Sequence, residues 1–581
     1  MTDAAAQLEA AKQAVADAQA ALAKAQADAE TAAAVAEAKP PVRADTGFGP
    51  LDAAAVETIK AGYAVEGHAI EVGALVNGDP LPDVQVRIPI AMLNRHGLVA
   101  GATGTGKTRT LQILLEQLSA QGVPVFAADI KGDLTGVATP GPASEKLLAR
   151  TEGIGQDWAP ASFPTEYFSL GGLGHGVPVR ATIAGFGPLL LSKVLGLNAT
   201  QESSLGLVFH YAVSAGYPLV DLDDLRSVLK YLTTDDGKVE LKNLGGLSSA
   251  TVGVILRELI TFGDQGADVF FGEPEIDTAD FIRSTADGRG VISLLEVPSV
   301  QDKPALFSTF LMWLLADLFN DLPEVGDLDK PKLVFFFDEA HLLFKGASKE
   351  FVDSIVQTVR LIRSKGVGIV FVTQTPKDVP GEVLEQLGSR IQHQLRAHTP
   401  DAAKALRATV STYPHSGYDL EQVLTQLGTG EAIVTVMNER GAPTPVAWTR
   451  LRAPQGSMSP SEDAVIEAAV KASALLPKYG AVIDRESAHE MLAAKMGAAV
   501  ARAEAEAKTA DAAKAQAEYD RLQREFEKQQ RAGRPQAGSR PSTSSRQKKE
   551  DNPLVDFLGS RQGRSIVSAV VKGVFGTLKR R

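Results

Sequence analysis

The sequence contains no cysteine in its 581 residues. A disulfide scaffold, a cysteine-ligated zinc site and a thiol nucleophile are therefore excluded. Basic residues are also in the minority, since 59 Lys and Arg stand against 70 Asp and Glu and give a formal charge of −11. This balance excludes a strongly basic coat for nucleic acid, but it leaves room for a local basic channel.

The sequence also has no long, uninterrupted apolar run. Its two most apolar stretches, residues 306–319 and 566–578, are too short and too interrupted to span a bilayer. The first residues, MTDAAAQLEAA, lack the basic and apolar regions of a signal peptide. From these absences we expect a cytoplasmic protein with no integral membrane segment, and the length allows several domains.

Both ends of the chain have biased compositions. Residues 1–40 are an alanine-rich arm with an apolar heptad spacing, which is compatible with a coiled coil and equally with a solvated single helix or a partly disordered arm. Residues 453–530 are predicted to be mainly helical, and residues 531–552 have the composition of a disordered linker. Residues 553–581 end in an apolar helical stripe with terminal basic residues, which predicts an amphipathic helix that binds a protein partner or a membrane surface.

Between these ends the pattern is that of an α/β protein. Residues 58–97 alternate around a turn signal and predict a small N-terminal β region. From residue 98, short apolar runs such as VPVFAAD, KLVFFFD and GVGIVFVTQ alternate with helices, which is typical of a mostly parallel sheet covered on both faces. Residues 186–288 interrupt this rhythm with helical patterns. We therefore predict a core of residues 98–185 and 289–452 that carries an inserted helical subdomain.

The segment GLVAGATGTGKT, residues 97–108, contains a complete Walker A pattern between an apolar strand and an amphipathic helix. Its glycines let successive N–H groups turn toward a phosphate, and the helix start adds the positive end of its dipole. Lys107 is expected to reach the β- and γ-phosphates of ATP, and the Thr108 hydroxyl is expected to bind Mg²⁺. The residues predicted to bind the nucleotide are Gly101, Thr103, Gly104, Thr105, Gly106, Lys107, Thr108 and Arg109.

An acidic pair follows the apolar run KLVFFF at the end of a predicted strand. Asp338 is expected to bind Mg²⁺ through water and Glu339 to take a proton from the attacking water, while the strand GVGIVFVTQ places Gln374 beside the γ-phosphate. The alternative is an acidic pair that only caps the next helix. The letters Asp-Glu-Ala-His also occur in a class of RNA helicases, but the Ser-Ala-Thr stretch and second complete core domain of that class are missing, so we expect His341 to begin a helix.

Five motifs in order resemble the HerA/FtsK superfamily of ring-forming P-loop ATPases, in particular the bacterial HerA-like proteins of the YjgR type. They are RHGLVAGATGTGKT, ADIKGDLTG, LVFFFDEAHLLF, RLIRSKGVGIVFVTQTPKDVP and SRIQHQLRAHTP, and the resemblance covers about residues 58–455. It implies a RecA-like core with an added antiparallel hairpin, Mg-dependent ATP hydrolysis in a hexameric ring, and translocation or unwinding of double-stranded DNA. The alanine-rich arm and the short N-terminal β region depart from the family pattern.

Ring ATPases of this kind need a cation from the neighbouring subunit to stabilise the transferring phosphoryl group. Among the arginines after the acidic pair, Arg363 best matches the family's inter-subunit arginine. Two residues at the end of the second strand either lie near the nucleotide or are ordinary strand-to-loop residues; they are Asp129 and Lys131. The other candidate arginines are Arg360, Arg390 and Arg396.

Two functions remain in competition at the level of sequence. The first is a hexameric motor that couples ATP hydrolysis to movement along DNA, and the family resemblance favours it. The second is an ATP-driven assembly or scaffold protein whose helical termini recruit protein or membrane-surface partners. The acidic composition and the long alanine-rich arm favour the second function.

Overall fold

The structure is a computed structural model, and it describes residues 50–296, 304–326, 328–344, 349–438 and 440–532. The predicted N-terminal arm and the predicted C-terminal amphipathic helix lie outside the described residues, as does nearly all of the predicted linker. Within the described part, the residues up to Gly497 form one compact unit and those from Ala498 form a second one.

One sheet organises the first unit. Its twelve strands are β1 (Ala69–Asn77), β2 (Asp79–Pro89), β3 (Gly97–Ala100), β4 (Val125–Asp129), β5 (Thr165–Leu170), β6 (Val177–Val179), β7 (Ile292–Glu296), β8 (Leu333–Phe337), β9 (Val367–Thr373), β10 (Ser389–Gln392), β11 (Glu431–Thr435) and β12 (Ala447–Leu451). Their order across the sheet is β2-β1-β12-β11-β10-β3-β9-β8-β4-β7-β5-β6.

The eight strands from β10 to β6 are parallel to their neighbours. Every residue of β4, β7, β8 and β9 is buried. Such strands need apolar side chains on both faces, because helices cover the sheet on both sides. The apolar runs in the sequence therefore predicted these four strands correctly, and the mostly parallel sheet is confirmed.

The remaining four strands are antiparallel and extend the same sheet at one edge. Strands β11 and β12 form an antiparallel hairpin, as the family resemblance implied. The predicted β region of residues 58–97 supplies the hairpin of β1 and β2, which pairs with β12 rather than forming a sheet of its own. Gly73 allows this pairing, because a Cβ there would lie 2.1 Å from the carbonyl oxygen of Arg450.

The described residues contain eighteen α-helices. They are α1 (Ala53–Gly62), α2 (Lys107–Ala120), α3 (Glu145–Glu152), α4 (Ile183–Phe186), α5 (Pro188–Val194), α6 (Ala199–Ala215), α7 (Leu222–Leu232), α8 (Asp235–Glu240), α9 (Ser249–Asp264), α10 (Pro304–Asp321), α11 (His341–Phe344), α12 (Lys349–Ile362), α13 (Gly381–Leu384), α14 (Pro400–Val410), α15 (Leu420–Gln426), α16 (Asp463–Ala472), α17 (Leu476–Tyr479) and α18 (Ala488–Ala532).

The core has two layers, one on each face of the sheet. Helix α2 packs on one face, where Leu111 and Leu115 share a cluster with Phe336 of β8. Helices α4 to α9 lie between β6 and β7 in the chain and pack on the opposite face, where they share a cluster with Phe335 and Phe337. The predicted helical insertion is thus present and buries its apolar side chains against the sheet.

The described residues after β12 are mainly helical, as the sequence predicted. In the second unit they continue α18 up to Ala532, and the side chains of residues 498–528 are almost all exposed. Among the described residues, no helix combines the length and the hydropathy that crossing a membrane requires. The segment boundaries drawn from composition stay predictions.

Candidate nucleotide-binding site

The Walker A segment forms the loop between β3 and α2, in the middle of the sheet. Gly104 and Gly106 have φ angles of 81° and 107°, which favour glycine, and Gly106 is the residue directly before α2. The loop is tied to both neighbouring strands, since the Gly101 N–H donates to the Thr373 carbonyl (3.2 Å) and the Ala102 N–H to the Gln394 carbonyl. The sequence prediction of a strand–loop–helix context is therefore confirmed.

The Lys107 ammonium folds over this loop. It donates to the carbonyl oxygens of Gly101 (2.7 Å) and Ala102 (3.2 Å). Burial lowers the pKa of Lys107, and the nearby carboxylates of Glu339 and Asp338 partly offset that effect. The lysine is thus held where a phosphate in the loop would meet its charge.

The acidic pair lies at the end of β8, two strands from β3 in the sheet. Both residues are 6% exposed. Burial, together with the adjacent Glu339, raises the pKa of Asp338 to about 6. Glu339 has a φ of 47°, a left-handed conformation that costs a non-glycine residue about 1–2 kcal/mol. Such strain at a buried acidic residue is a mark of functional sites.

Three side chains surround the Glu339 carboxylate. The Lys131 ammonium donates to Oε1, and Nε2 of Gln374 lies 3.5 Å from Oε2. Nδ1 of His341 lies 3.3 Å from Oε2 without hydrogen-bond geometry, and His341 begins α11 as expected. Burial alone would raise the pKa of Glu339, but the hydrogen bond and charge of Lys131 lower it. The structure therefore brings together Glu339 and Gln374, as the sequence predicted.

The loop that follows β4 contacts both Thr108 and Glu339 of the site. The Asp129 carboxylate is fully buried and accepts the backbone N–H groups of Gly132 (2.8 Å), Asp133 (3.3 Å) and Leu134 (2.8 Å). Burial raises the pKa of Asp129 to about 7, although the N–H groups act against it. We call residues 129–134 the β4 loop. It carries Lys131 to Glu339 and therefore belongs to the site.

The β4 loop also supplies a carboxylate that the sequence analysis missed. Oδ2 of Asp133 accepts from the Thr108 hydroxyl at 3.2 Å, and Oδ1 is buried without a hydrogen-bond partner in the described structure. The motif ADIKGDL contained the signal, because Asp133 follows Asp129 by one turn of a tight loop. A hydroxyl beside the carboxylate of Asp133 suits Mg²⁺, which prefers a few oxygen ligands completed by phosphates and water.

The candidate arginines are spread over different parts of the sheet. Arg363 lies in the short turn before β9, at the edge opposite the phosphate loop, and the seven residues of β9 separate the two edges by about 20 Å. Arg363 is therefore not part of the site in its own chain. Arg396 instead donates to the carbonyl of Thr103 in the phosphate loop (3.1 Å). Arg109 begins α2 and donates to Gln112 one turn later.

A buried histidine supports the phosphate loop from β10. His393 is fully buried, and its Nε2 lies 2.9 Å from the Thr110 hydroxyl of α2. Burial, with the nearby Lys107 charge, lowers the pKa of His393 to about 4. A Cβ on Gly101 would lie 2.4 Å from the His393 Cβ, so the first glycine of the motif is required for this contact. His393 lies within the motif SRIQHQLRAHTP, but the sequence alone gave it no role.

With this geometry established, the chain can be compared with known proteins. The model of the helicase HerA-like C-terminal family matches residues 75–581. The chain belongs to this family. The HerA-like protein is 25% identical over 59% of its length to "Probable helicase MJECL08" from Methanocaldococcus jannaschii, of which it covers 64%. It is 23% identical over 63% of its length to "DNA double-strand break repair helicase HerA" from Sulfurisphaera tokodaii, of which it covers 66%.

Among solved structures, the HerA-like protein is similar to the plasmid coupling protein TrwB in complex with a non-hydrolysable ATP analogue. The match has 14% identity and a TM-score of 0.48, and it covers 71% of this chain and 94% of TrwB. The family model confirms the predicted HerA-type family, and the sheet order confirms the predicted mostly parallel α/β core, while the assignment to the YjgR type stays a prediction. The chain spans slightly less than two thirds of the two helicases' lengths.

Proposed function

We propose that the HerA-like protein hydrolyses ATP with Mg²⁺ at the edge of the sheet where β3, β4, β8 and β9 end. The observation that supports this most strongly is the convergence of Lys107 and Thr108, at the start of α2, with a buried, strained Glu339 that follows β8. A residue that only capped a helix would not need to be buried with its carboxylate turned toward Lys131 and Gln374.

Each side chain has a distinct part in the proposed reaction. Lys107 binds the β- and γ-phosphates, Glu339 accepts the proton of the attacking water, and Gln374 orients that water. Thr108 and Asp338 would hold Mg²⁺, which supplies positive charge against the phosphate oxygens. The low exposure of Asp338 and Glu339 limits competing contact with bulk water, which strengthens the electrostatic interactions of the site.

The position of Arg363 supports a ring with shared sites. Because Arg363 lies at the opposite edge of the sheet from its own phosphate loop, it is too far away to contact a nucleotide bound by its own chain. We propose a hexameric ring in which Arg363 stabilises the phosphoryl group bound by the neighbouring chain. Arginines in this role contribute about 10³–10⁵-fold to turnover in other P-loop enzymes.

Mixed oligomers test this arrangement. Arg363→Ala subunits should bind ATP normally and hydrolyse it poorly, whereas Arg407→Ala, which changes an exposed arginine of α14, serves as the matched control. Mixing Arg363→Ala with Lys107→Ala subunits should restore part of the activity, because some interfaces then combine an intact Lys107 with an intact Arg363. Subunit exchange is verified beforehand by labelling. A monomer with full activity in ATP and Mg²⁺ would contradict both the ring and the shared site.

We further propose that hydrolysis drives movement along double-stranded DNA. The support is the family membership and the names of two relatives, which are a helicase and a DNA double-strand break repair helicase. Duplex DNA should therefore raise the ATPase rate, and the effect should weaken steeply from low to moderate salt as counterions compete for the phosphates. Lys107→Ala serves as the control for contaminating ATPases. A rate that DNA does not change at any salt concentration would favour the assembly or scaffold function instead.

A further inference from the structure

Lys131 lies in the site, but it has no role in the reaction proposed above. Its side chain is 46% exposed, whereas the Glu339 side chain to which its ammonium donates is 8% exposed. The lysine thus extends from a solvent-facing loop inward to the base, along a flexible methylene stem. Its backbone is fixed by the bonds of the β4 loop to the Asp129 carboxylate, so only the side chain is free to change direction.

The ammonium groups of Lys131 and Lys107 approach the same region. Lys131 donates to the Glu339 carboxylate, whose charge also acts on the partly buried Lys107. Burial opposes the charged form of Lys131, but Glu339, Asp338 and Asp133 outweigh it and raise its pKa. Two cations beside each other are stabilised by an anion between them. In the present structure Glu339 provides that anion for Lys131, and the phosphates of ATP would provide a second one.

The contact with Lys131 restricts how Glu339 can act as a base. Glu339 can take a proton from water only when one of its oxygens faces that water, and Oε1 is occupied by the lysine. The attacking water must lie within about 3 Å of the carboxylate and also beside the γ-phosphorus. An ammonium bonded to Glu339 is therefore within a side-chain rotation of the γ-phosphate oxygens.

We propose that Lys131 is a catalytic residue that leaves Glu339 for the γ-phosphate when ATP binds. The move frees the carboxylate to act as the base. It also brings a cation of the chain that binds ATP to the negative charge that develops on the transferring phosphoryl group. In the step itself, the water oxygen forms the new P–O bond, its proton passes to Glu339, and the β,γ-bridging P–O bond breaks with its electron pair going to ADP. Lys131 stays protonated throughout. The inference rests on the proposed ATP hydrolysis and is independent of DNA.

The test compares Lys131→Met, which keeps the apolar stem, with Lys131→Arg, which keeps the charge. Lys330→Met is the matched control. Lys330 precedes β8 in the chain and donates to the Gln121 carbonyl, away from the phosphate loop. We expect Lys131→Met to lower kcat about 100-fold, which is the effect of losing one donor that stabilises the charge of the transition state. Lys131→Arg should retain a substantial part of the wild-type kcat. The affinity for ADP, measured by equilibrium binding, should stay within about twofold of wild type, because ADP has no γ-phosphate.

The outcomes separate this role from a structural one. A Lys131→Met protein that hydrolyses ATP at or above the wild-type rate would overturn the proposal, since the lysine would then only restrain the base. Equal losses of kcat, ADP affinity and thermal stability would also overturn it, since the lysine would then only hold the β4 loop together. Wild-type protein that hydrolyses no ATP would refute the proposed function, and it is measured before any variant.

Discussion

Comparing Asp129→Ala with a matched control should separate the contribution of the β4 loop to stability from its contribution to catalysis. Asp129 is fully buried and accepts three backbone N–H groups of the loop. Removing the carboxylate leaves these groups without acceptors, and each buried donor left unpaired costs about 1 kcal/mol or more. We therefore expect a loss of about 3 kcal/mol in the free energy of unfolding, measured by urea denaturation.

A matched control lies in the inserted helical subdomain. Asp224 is also fully buried, and it accepts the backbone N–H groups of Val220 (2.7 Å), Asp221 (3.2 Å) and His489 (2.8 Å). By the same reasoning Asp224→Ala should destabilise the protein by a similar amount. It holds no loop at the phosphate edge of the sheet, so the activity of its folded fraction should remain close to wild type.

The assay is the steady-state ATPase rate at saturating ATP, at a temperature where both variants are folded. Asp129→Ala should lose most of its turnover, because the loop that carries Lys131 and Asp133 is no longer fixed. A stability loss below about 1 kcal/mol would refute the role of the three hydrogen bonds. Equal activity in the two variants would refute the role of the loop in the site.

Two further predictions concern the support of the phosphate loop. Gly101→Ala should destabilise the protein by about 1–3 kcal/mol and weaken ATP binding, because its Cβ would lie 2.4 Å from the Cβ of His393. The control is Gly206→Ala in α6, where an added Cβ would meet no neighbouring atom within 4 Å. An unchanged ATP dissociation constant in Gly101→Ala would contradict the prediction. Because burial lowers the pKa of His393 to about 4, the folded state binds fewer protons than the unfolded state below pH 6.5, and stability is lost as the pH falls. Between pH 7 and pH 5 wild type should lose about 2 kcal/mol relative to His393→Gln in urea titrations, and a constant difference between the two would contradict the neutral, buried histidine.

The sequence predicted the elements whose residues are apolar on both faces. Residues 333–337 are five apolar residues that end at an acidic pair, and this pattern predicted a central strand, which the structure contains. It did not identify β10, whose sequence SRIQ has three polar residues among four. Gln392 is buried there because its side chain donates to the Ala100 carbonyl, a contact with a distant strand that no local periodicity contains.

The same distinction applies to the site. Lys107 and Thr108 follow from a local motif whose backbone geometry fixes their positions. Asp133 and His393 depend on how separate strands are placed next to each other, and Thr110 and His393 are 283 positions apart in the chain. The sequence could place Lys131 at the end of a strand, but the direction of its side chain toward Glu339 became apparent only in the folded structure.

The most direct test of the hydrolysis site is the fate of ATP bound to Glu339→Gln protein. Glu339 is assigned as the base, and nucleotide binding depends on Lys107 and the phosphate loop instead. The variant should therefore bind ATP with an affinity close to that of wild type and retain it uncleaved in a single-turnover measurement with Mg²⁺. Cleavage of the bound ATP at the wild-type rate would contradict the assignment and place the hydrolytic carboxylate elsewhere.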